Sequence, residues 1–166
     1  MVAFNKYTYI CNYIVAYLNL KIMKDVLRKE KTFTHSIDKV WNAISVGEEI
    51  SKWFIQADFK PEIGYEYTFT AAEEHGGTQI KGKVLEASPY TLKYTWRVGD
   101  TEVDTTVLWT LEEADGGTKL TLEHSDISNY PAEAATEMLG HFDKGWDACI
   151  TGLIQYLKDE ISEPAH

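Results

Sequence analysis

The sequence is poor in cysteine, and its metal-binding residue types are not grouped. Only two of its 166 residues are cysteines, Cys11 and Cys149, and neither lies in a CxxC or other metal-ligand spacing. The histidines are scattered over residues 35, 75, 124, 141 and 166. We therefore expect no metal site and, because Cys149 has apolar neighbours, no reactive thiol. Free thiols are typical of a reducing compartment, which predicts a cytoplasmic protein.

Positive charge is also scarce. Sixteen Lys and Arg stand against 26 Asp and Glu, the net charge is −10, and no run of five basic residues occurs. An acidic surface repels phosphate backbones and anionic lipids, so we expect neither a nucleic-acid nor a membrane partner. With four prolines and 44% hydrophobic residues the chain is neither disordered nor collagen-like. Its length suits one domain.

Signatures of common enzyme classes are missing. The sequence contains no GxSxG, Walker or GxGxxG pattern. The pairs Gly76-Gly77 and Gly116-Gly117 are typical of hairpin turns rather than phosphate-binding loops. We therefore predict no catalytic residue and no cofactor.

The first 22 residues differ in composition from the rest, since they contain two lysines and no acid. They lack a signal-peptide cleavage site and are too short and polar for a membrane span. We expect translation to begin naturally at Met23, so that residues 1–22 are a non-native start or a poorly ordered extension and residues 23–163 form a single domain. The alternative is an amphipathic helix that packs on the domain through Ile10, Ile14, Tyr17 and Leu18.

From residue 24 onward, periodicity and turn residues predict an ordered series of elements. An extended segment over 26–34 precedes a helix that Ser36 caps and Gly47 ends. A second short helix, EEISKWF, follows. Strands are then predicted at 65–71, 78–86, 91–98, 101–113 and 118–127. Hairpin turns are predicted at Gly99-Asp100 and at Asp115-Gly116-Gly117, which make the sheet an antiparallel meander.

Alternation within the later strands places apolar residues on one face of the sheet. That face comprises Leu92, Tyr94, Trp96, Val107, Trp109, Leu111, Leu120, Leu122 and His124. A long helix from Pro131 to about residue 161 is predicted to cover it. Glycines at 140, 145 and 152 each cost about 1 kcal/mol in a helix, which suggests close backbone contact or a bend. The order of elements is that of an α+β fold.

Several segments in this order are familiar. They are DKVWNAIS, Trp53-Phe54, PEIG, GKVLEASPYTLKYTW, VLWTLEEADGGTKLTLEHS and GWDACITGLIQYL. With them the chain from about 26 to 160 resembles the START-like SRPBCC superfamily, and within it the Aha-type family of heat-shock-protein ATPase activator homologues. The resemblance implies a helix-grip fold like that of the birch-pollen allergen, with a curved antiparallel sheet around a long C-terminal helix and two short helices after the first strand. The family has no shared catalytic motif.

The resemblance also implies a hydrophobic cavity between the sheet and the long helix. Cavities of this kind measure roughly 300–1,000 Å³. The residues expected to line it are Trp41, Phe54, Tyr67, Phe69, Tyr94, Trp96, Trp109, His124, Met138, Phe142 and Trp146. The alternative is that these rings simply fill the core.

These features favour a carrier or sensor of a hydrophobic, aromatic or lipid-like small molecule, acting as a monomer or weak dimer. A cyclase or dehydratase using His124, Asp126 and Tyr94 is one alternative, and a stimulator of a heat-shock-protein ATPase is another. His124 and Asp126 share a strand face. They form a polar anchor or an acid–base pair at the cavity mouth, or else His124 is a hydrogen-bonded, partly solvated histidine at a strand end. His141 and Asp143 are expected on a solvated helix face.

Overall fold

A computed structural model describes residues 10–17 and 25–161 of the chain. Residues 10–17 are helical and are called α1. The other α-helices in these ranges are α2 (Ile37–Ser45), α3 (Gly47–Trp53) and α4 (Ala132–Ile161). The strands are β1 (Leu27–Phe33), β2 (Gln56–Asp58), β3 (Glu66–Thr70), β4 (Gln79–Ser88), β5 (Thr91–Val98), β6 (Thr105–Ala114) and β7 (Gly117–Ser125). None of the helices in these two ranges is long and apolar enough to cross a bilayer.

The seven strands form one sheet in the order β1-β7-β6-β5-β4-β3-β2, and every neighbouring pair is antiparallel. The curved sheet packs against α4, while α2 and α3 connect β1 to β2. This architecture confirms the predicted α+β helix-grip fold. Strand β2 was not predicted, because three residues are too few to produce an alternating pattern.

The predicted apolar face of the sheet is confirmed. Its nine residues on β5, β6 and β7 are each 5% exposed or less. The helix cap is confirmed as well, since the hydroxyl of Ser36 accepts a hydrogen bond from the backbone N–H of Lys39. Gly47 begins α3 instead of ending α2. A Cβ at Gly47 would lie 2.6 Å from the carbonyl oxygen of Phe59, so glycine is needed there for close packing.

One predicted hairpin is confirmed and the other is wrong. Asp115 and Gly116 join β6 to β7 as a two-residue turn, and both have positive φ, as this tight turn requires. The Gly99-Asp100 turn does not join β5 directly to β6. The last pair between those strands is Trp96 with Thr105, because the end of β5 pairs with β4 alone. Residues 99–104 therefore form a longer loop between β5 and β6.

The three glycines of α4 do not share one role. A Cβ at Gly152 would lie 3.0 Å from the carbonyl oxygen of Trp53, which confirms a close contact between α4 and α3. A Cβ at Gly140 or Gly145 would meet nothing within 4 Å. For those two positions the expectation of close backbone contact is wrong, since the helix surface is open there.

Helix α1 lies on the surface, and each of its side chains is exposed. These include Ile10 and Tyr17, which are 54% and 63% exposed. Leu18 and Met23 lie outside the described residues. We propose that residues 1–22 contribute little to stability, because a side chain that stays in water gains nothing from folding.

The free energy of unfolding of a chain beginning at Met23 is expected to lie within about 1 kcal/mol of that of the full chain. This is less than one buried large side chain contributes. Urea unfolding of the two chains side by side measures the difference. A loss above about 2 kcal/mol, the value of one such side chain, would instead support the alternative of a packed amphipathic helix.

Candidate functional site

An apolar pocket opens between α4 and the adjoining end of the sheet. It measures about 190 Å³. Its lining residues come from the segment after α3, from β4 and β5, and from α4: Phe54, Ile55, Ile80, Trp96, His141, Phe142, Gly145 and Trp146. Apart from His141 and the indole N–H groups, these side chains present only hydrocarbon. The pocket is therefore suited to an apolar guest.

Phe54 shapes one side of the pocket. It follows α3 directly, and its ring stacks on those of Trp53 and Trp146 at centroid distances of 5.5 and 6.3 Å. The rings of Phe54 and Phe69, the latter on β3, make a T-shaped contact with a centroid distance of 5.9 Å. Phe54 is thus held by aromatic contacts to both the sheet and α4.

Trp96 and Trp146 form the inner wall of the pocket. Their rings lie 5.1 Å apart and join β5 to α4. Phe142, one turn earlier on α4, packs on the ring of His124 at 4.2 Å. Gly145 also lines the pocket but contributes no side chain, so the helix surface beside Trp146 is open.

His124 is completely buried behind this wall, with 0% exposure. The indole N–H of Trp146 donates to its Nδ1 at 2.9 Å. In the neutral ring Nε2 therefore carries the proton and donates to Oγ1 of Thr105 at 2.7 Å. Thr105 in turn donates to the carbonyl oxygen of Trp96 at 3.1 Å. Burial lowers the pKa of His124 to about 4, against the smaller opposing effect of Asp126.

The acid–base pair that was one alternative for His124 and Asp126 is not formed. Asp126 is exposed and accepts a hydrogen bond from Thr106, whereas His124 bonds to Thr105 and Trp146. Tyr94 is buried, its oxygen accepts from Trp109, and burial raises the pKa of its hydroxyl. His124 thus joins sheet to helix as a neutral ring, and these groups give no arrangement for proton transfer.

The eleven predicted cavity residues fall into three groups. Four line the pocket: Phe54, Trp96, Phe142 and Trp146. Five lie beneath it in contact with one another or with the wall: Tyr67, Phe69, Tyr94, Trp109 and His124. Met138 and Trp41 are partly buried at the edge of the core, where the ring of Trp41 meets that of Tyr90 at 6.0 Å. A cavity that all eleven line stays a prediction.

Four lining residues were not predicted: Ile55, Ile80, His141 and Gly145. The parity of β4 could have indicated Ile80, which lies on the same strand face as the buried Val84. His141 is mostly exposed, as expected, and lies at the pocket rim. Its neighbour Asp143 pairs with Lys29 of β1 at 2.5 Å, so that position is an ion pair between helix and sheet.

A larger groove of about 680 Å³ lies on the outer face of the sheet. Side chains of both charges, including Lys81, Lys83 and Asp104, line it, and Arg97 is already paired with Asp104 at 2.8 Å. Its mixed charges and exposure make it a poorer small-molecule site than the apolar pocket. Within the described ranges, no group of three or more His, Cys, Asp or Glu side chains could hold a metal ion.

The fold and the pocket beside α4 place the protein among the helix-grip, START-like domains. The model of the family described as Activator of Hsp90 ATPase homolog 1-like protein matches residues 34–158, and the chain belongs to that family. Membership supports a ligand-binding domain. Comparison with curated proteins finds no match.

Solved structures with the same fold include three bacterial proteins. Protein MLL2253 from Mesorhizobium loti is 25% identical, with a TM-score of 0.72 over 84% of this chain and 99% of that one. Protein BH1534 from Bacillus halodurans is 26% identical, with a TM-score of 0.62 over 80% and 98%. CalU16 from Micromonospora echinospora is 24% identical, with a TM-score of 0.62 over 82% and 78%.

Proposed function

We propose that the protein is a cytoplasmic carrier or sensor of a small hydrophobic molecule, aromatic or lipid-like, held between the sheet and α4. The binding domain comprises residues 23–163 in this proposal. The observation that carries it is the apolar pocket beside Gly145. Apolar pockets with few polar groups are the usual form of small-molecule sites.

The size of the pocket favours a guest of one aromatic ring. Its volume of about 190 Å³ is smaller than the sequence-based expectation. An engineered apolar cavity of about 150 Å³ stays dry and binds benzene, so a single ring is accommodated without rearrangement. A longer lipid would need Phe54 to move outward, since that ring separates the pocket from Phe69.

Gly145 provides a direct test. In Gly145→Leu a side chain would enter open space at the pocket wall. We expect toluene to bind about tenfold or more weakly to this variant, a loss of about 1.4 kcal/mol or more. Titration of toluene followed by amide NMR shifts measures the affinity, and thermal-shift screening of single-ring aromatics and fatty acids extends the range of ligands.

Gly140→Leu is the matched control. Gly140 lies on the same helix in equally open space but does not line the pocket. Both substitutions replace a helical glycine and should raise helix propensity similarly. Toluene should therefore bind Gly140→Leu as it binds the wild type. Equal affinity in all three chains would refute this site, and no binding to the wild type by any screened ligand would refute the proposed function.

A further inference from the structure

The outer face of the sheet carries a group of basic side chains, although the net charge of the protein is −10. They line the groove of about 680 Å³ on β3, β4 and β5: Lys81, Lys83 and Arg97. Lys81 and Lys83 are two residues apart on β4 and therefore lie on the same face. Arg97 on β5 lies directly opposite Lys81. Three positive charges are thus gathered in one small region of an acidic protein.

Acidic side chains of the fold neutralise only part of this charge. Arg97 is paired with Asp104 through two hydrogen bonds of 2.8 and 2.9 Å. Nζ of Lys83 lies 3.6 Å from Glu66, and both side chains are more than half exposed. In the described part of the chain Lys81 is paired with no acidic side chain, and it faces Arg97 across the strand pair. Since like charges directly opposite each other destabilise a sheet, an anionic partner would relieve this arrangement.

Exposed apolar side chains lie at the edge of the same groove. Within residues 25–161 the exposed large hydrophobic residues are Val46, Ile63 and Leu85. Leu85 lines the groove and is 42% exposed, and Ile63 is 76% exposed. The two lie in neighbouring segments, because the N–H of Gly64 donates to the carbonyl oxygen of Val84 at 2.8 Å. Apolar surface with a polar rim is typical of protein interaction sites.

The charge of the rest of the protein restricts the kind of anion that fits. A nucleic acid or an anionic membrane would extend beyond the groove onto a protein with 26 acidic and 16 basic residues, which repels it. Glu66 and Asp104 would also repel a row of phosphates. A short acidic peptide confines its charge to the groove and can place an apolar side chain on Leu85. The groove volume is within the roughly 300–1,000 Å³ that is usual for ligand sites.

We propose that this groove binds a short acidic segment of another protein. Carboxylates of the segment pair with Lys81 and Lys83, and one of its apolar side chains packs on Leu85 and Ile63. The groove is on the opposite face of the sheet from the apolar pocket, so the inference does not depend on the proposed function. It adds a protein partner, which a sensor needs in order to pass on the binding of its ligand.

Two peptides of equal length test the inference on the full chain. Acetyl-EELEE-amide carries the carboxylates, and acetyl-QQLQQ-amide replaces them by neutral amides of similar size. Because an exposed ion pair strengthens binding by up to about fivefold, EELEE should bind about threefold or more tightly than QQLQQ at low salt. Amide NMR titration should show shifts at 66–68, 81–85 and 95–97. The preference should vanish near 1 M NaCl, where charges are screened beyond about 3 Å.

Lys83→Glu and Lys119→Glu form a matched pair of variants. Lys119 is also an exposed lysine on the outer face of the sheet, on β7, and lies 3.7 Å from Glu30 much as Lys83 lies 3.6 Å from Glu66. Both substitutions change the net charge equally, but Lys119 does not line the groove. Lys83→Glu should lose the preference for EELEE, and Lys119→Glu should keep it. Leu85→Ala should weaken both peptides by a similar factor, because both carry the leucine.

The inference is overturned if EELEE does not bind the wild type or binds no better than QQLQQ. It is also overturned if the shifts lie outside the groove, or if Lys83→Glu keeps the preference. A short oligothymidylate that binds the groove more tightly than EELEE would assign the surface to nucleic acid instead. Toluene should bind Lys83→Glu as it binds the wild type, which shows that the variant is folded. Failure of toluene to bind any of these chains would count against the proposed function and not against this groove.

Discussion

Acidification from pH 7.5 to pH 5 is expected to lower the free energy of unfolding by about 2 kcal/mol through His124 alone. In an unfolded chain the imidazole has a pKa of about 6.5. In the fold, burial lowers the pKa to about 4. As the pH falls below 6.5, His124 binds a proton in the unfolded chain but stays neutral in the folded chain. Its contribution to the free energy of unfolding is therefore fully present above pH 6.5 and is lost progressively below it. The loss is about 3 kcal/mol at pH 4 and is complete only below that pH.

The hydrogen bonds of His124 give this shift its structural basis. Its Nδ1 already accepts the indole N–H of Trp146, so a second proton there would face a donor. Protonation would therefore break the link between β7 and α4, in addition to placing a charge in the core. Both effects oppose the charged ring.

Urea unfolding between pH 7.5 and 5 measures the loss, with His124→Gln as the control. That variant is less stable at pH 7.5 but should lose less than about 1 kcal/mol on acidification, because the group that titrates is gone. Carboxylates with lowered pKa values, such as Glu30 and Glu49, lose their contribution only as the pH falls below about 4.5. An equal loss in the wild type and in His124→Gln would contradict the role assigned to His124.

The sheet was predictable because its signals are local and repeated. Apolar and polar residues alternate along β5, β6 and β7, which indicates one buried face, and the parity of each strand identifies the residues on that face. The turn at Asp115-Gly116 was found for the same reason, since two residues with positive φ leave few alternatives. The prediction of a hairpin at Gly99 was wrong because strand pairing sets where β5 leaves β6. The end of β5 pairs with β4 alone, and no local sequence pattern indicates this.

The candidate pocket was only partly predictable. Trp96, Phe142 and Trp146 follow from strand parity and helix periodicity. Gly145 could not be predicted as a lining residue from the sequence. A glycine in a helix indicates either a close contact or an open surface, and which of the two holds depends on the atoms that face it in the fold. Gly152 meets α3 while Gly145 meets open space. The position of Ile55 depends on how the chain leaves α3, which sequence periodicity does not describe.

The hydrogen-bond partners of His124 could not be predicted from the sequence either, because they lie on other elements. Its partners Thr105 and Trp146 come from β6 and α4 and are distant in sequence. The sequence offered Asp126 as a partner because it lies two residues away on the same strand face. The structure has Asp126 at positive φ just beyond β7, where it leaves the strand geometry that parity assumes.

A methyl group at Gly82 is expected to destabilise the fold by about 3 kcal/mol or more, the combined effect of overpacking and a broken buried hydrogen bond. Gly82 lies on β4 opposite Tyr67 of β3. The Tyr67 ring passes close to Gly82, and its hydroxyl donates to the carbonyl oxygen of Thr95 at 2.6 Å. A Cβ would lie 1.9 Å from that oxygen and 2.7 Å from Cε1 of Tyr67, distances that neither group tolerates.

The neighbouring atoms cannot move to relieve the clash without disturbing the sheet or the core. The oxygen of Thr95 belongs to the backbone of β5, and the Tyr67 ring is 1% exposed beneath the pocket wall. Urea midpoints of Gly82→Ala and the wild type measure the effect. Gly140→Ala is the control: its Cβ meets nothing within 4 Å, so it should gain about 1 kcal/mol from helix propensity. A Gly82→Ala protein within about 1 kcal/mol of the wild type, far below the usual cost of such overpacking, would mean that β4 and β5 move apart more easily than their packing around Tyr67 implies.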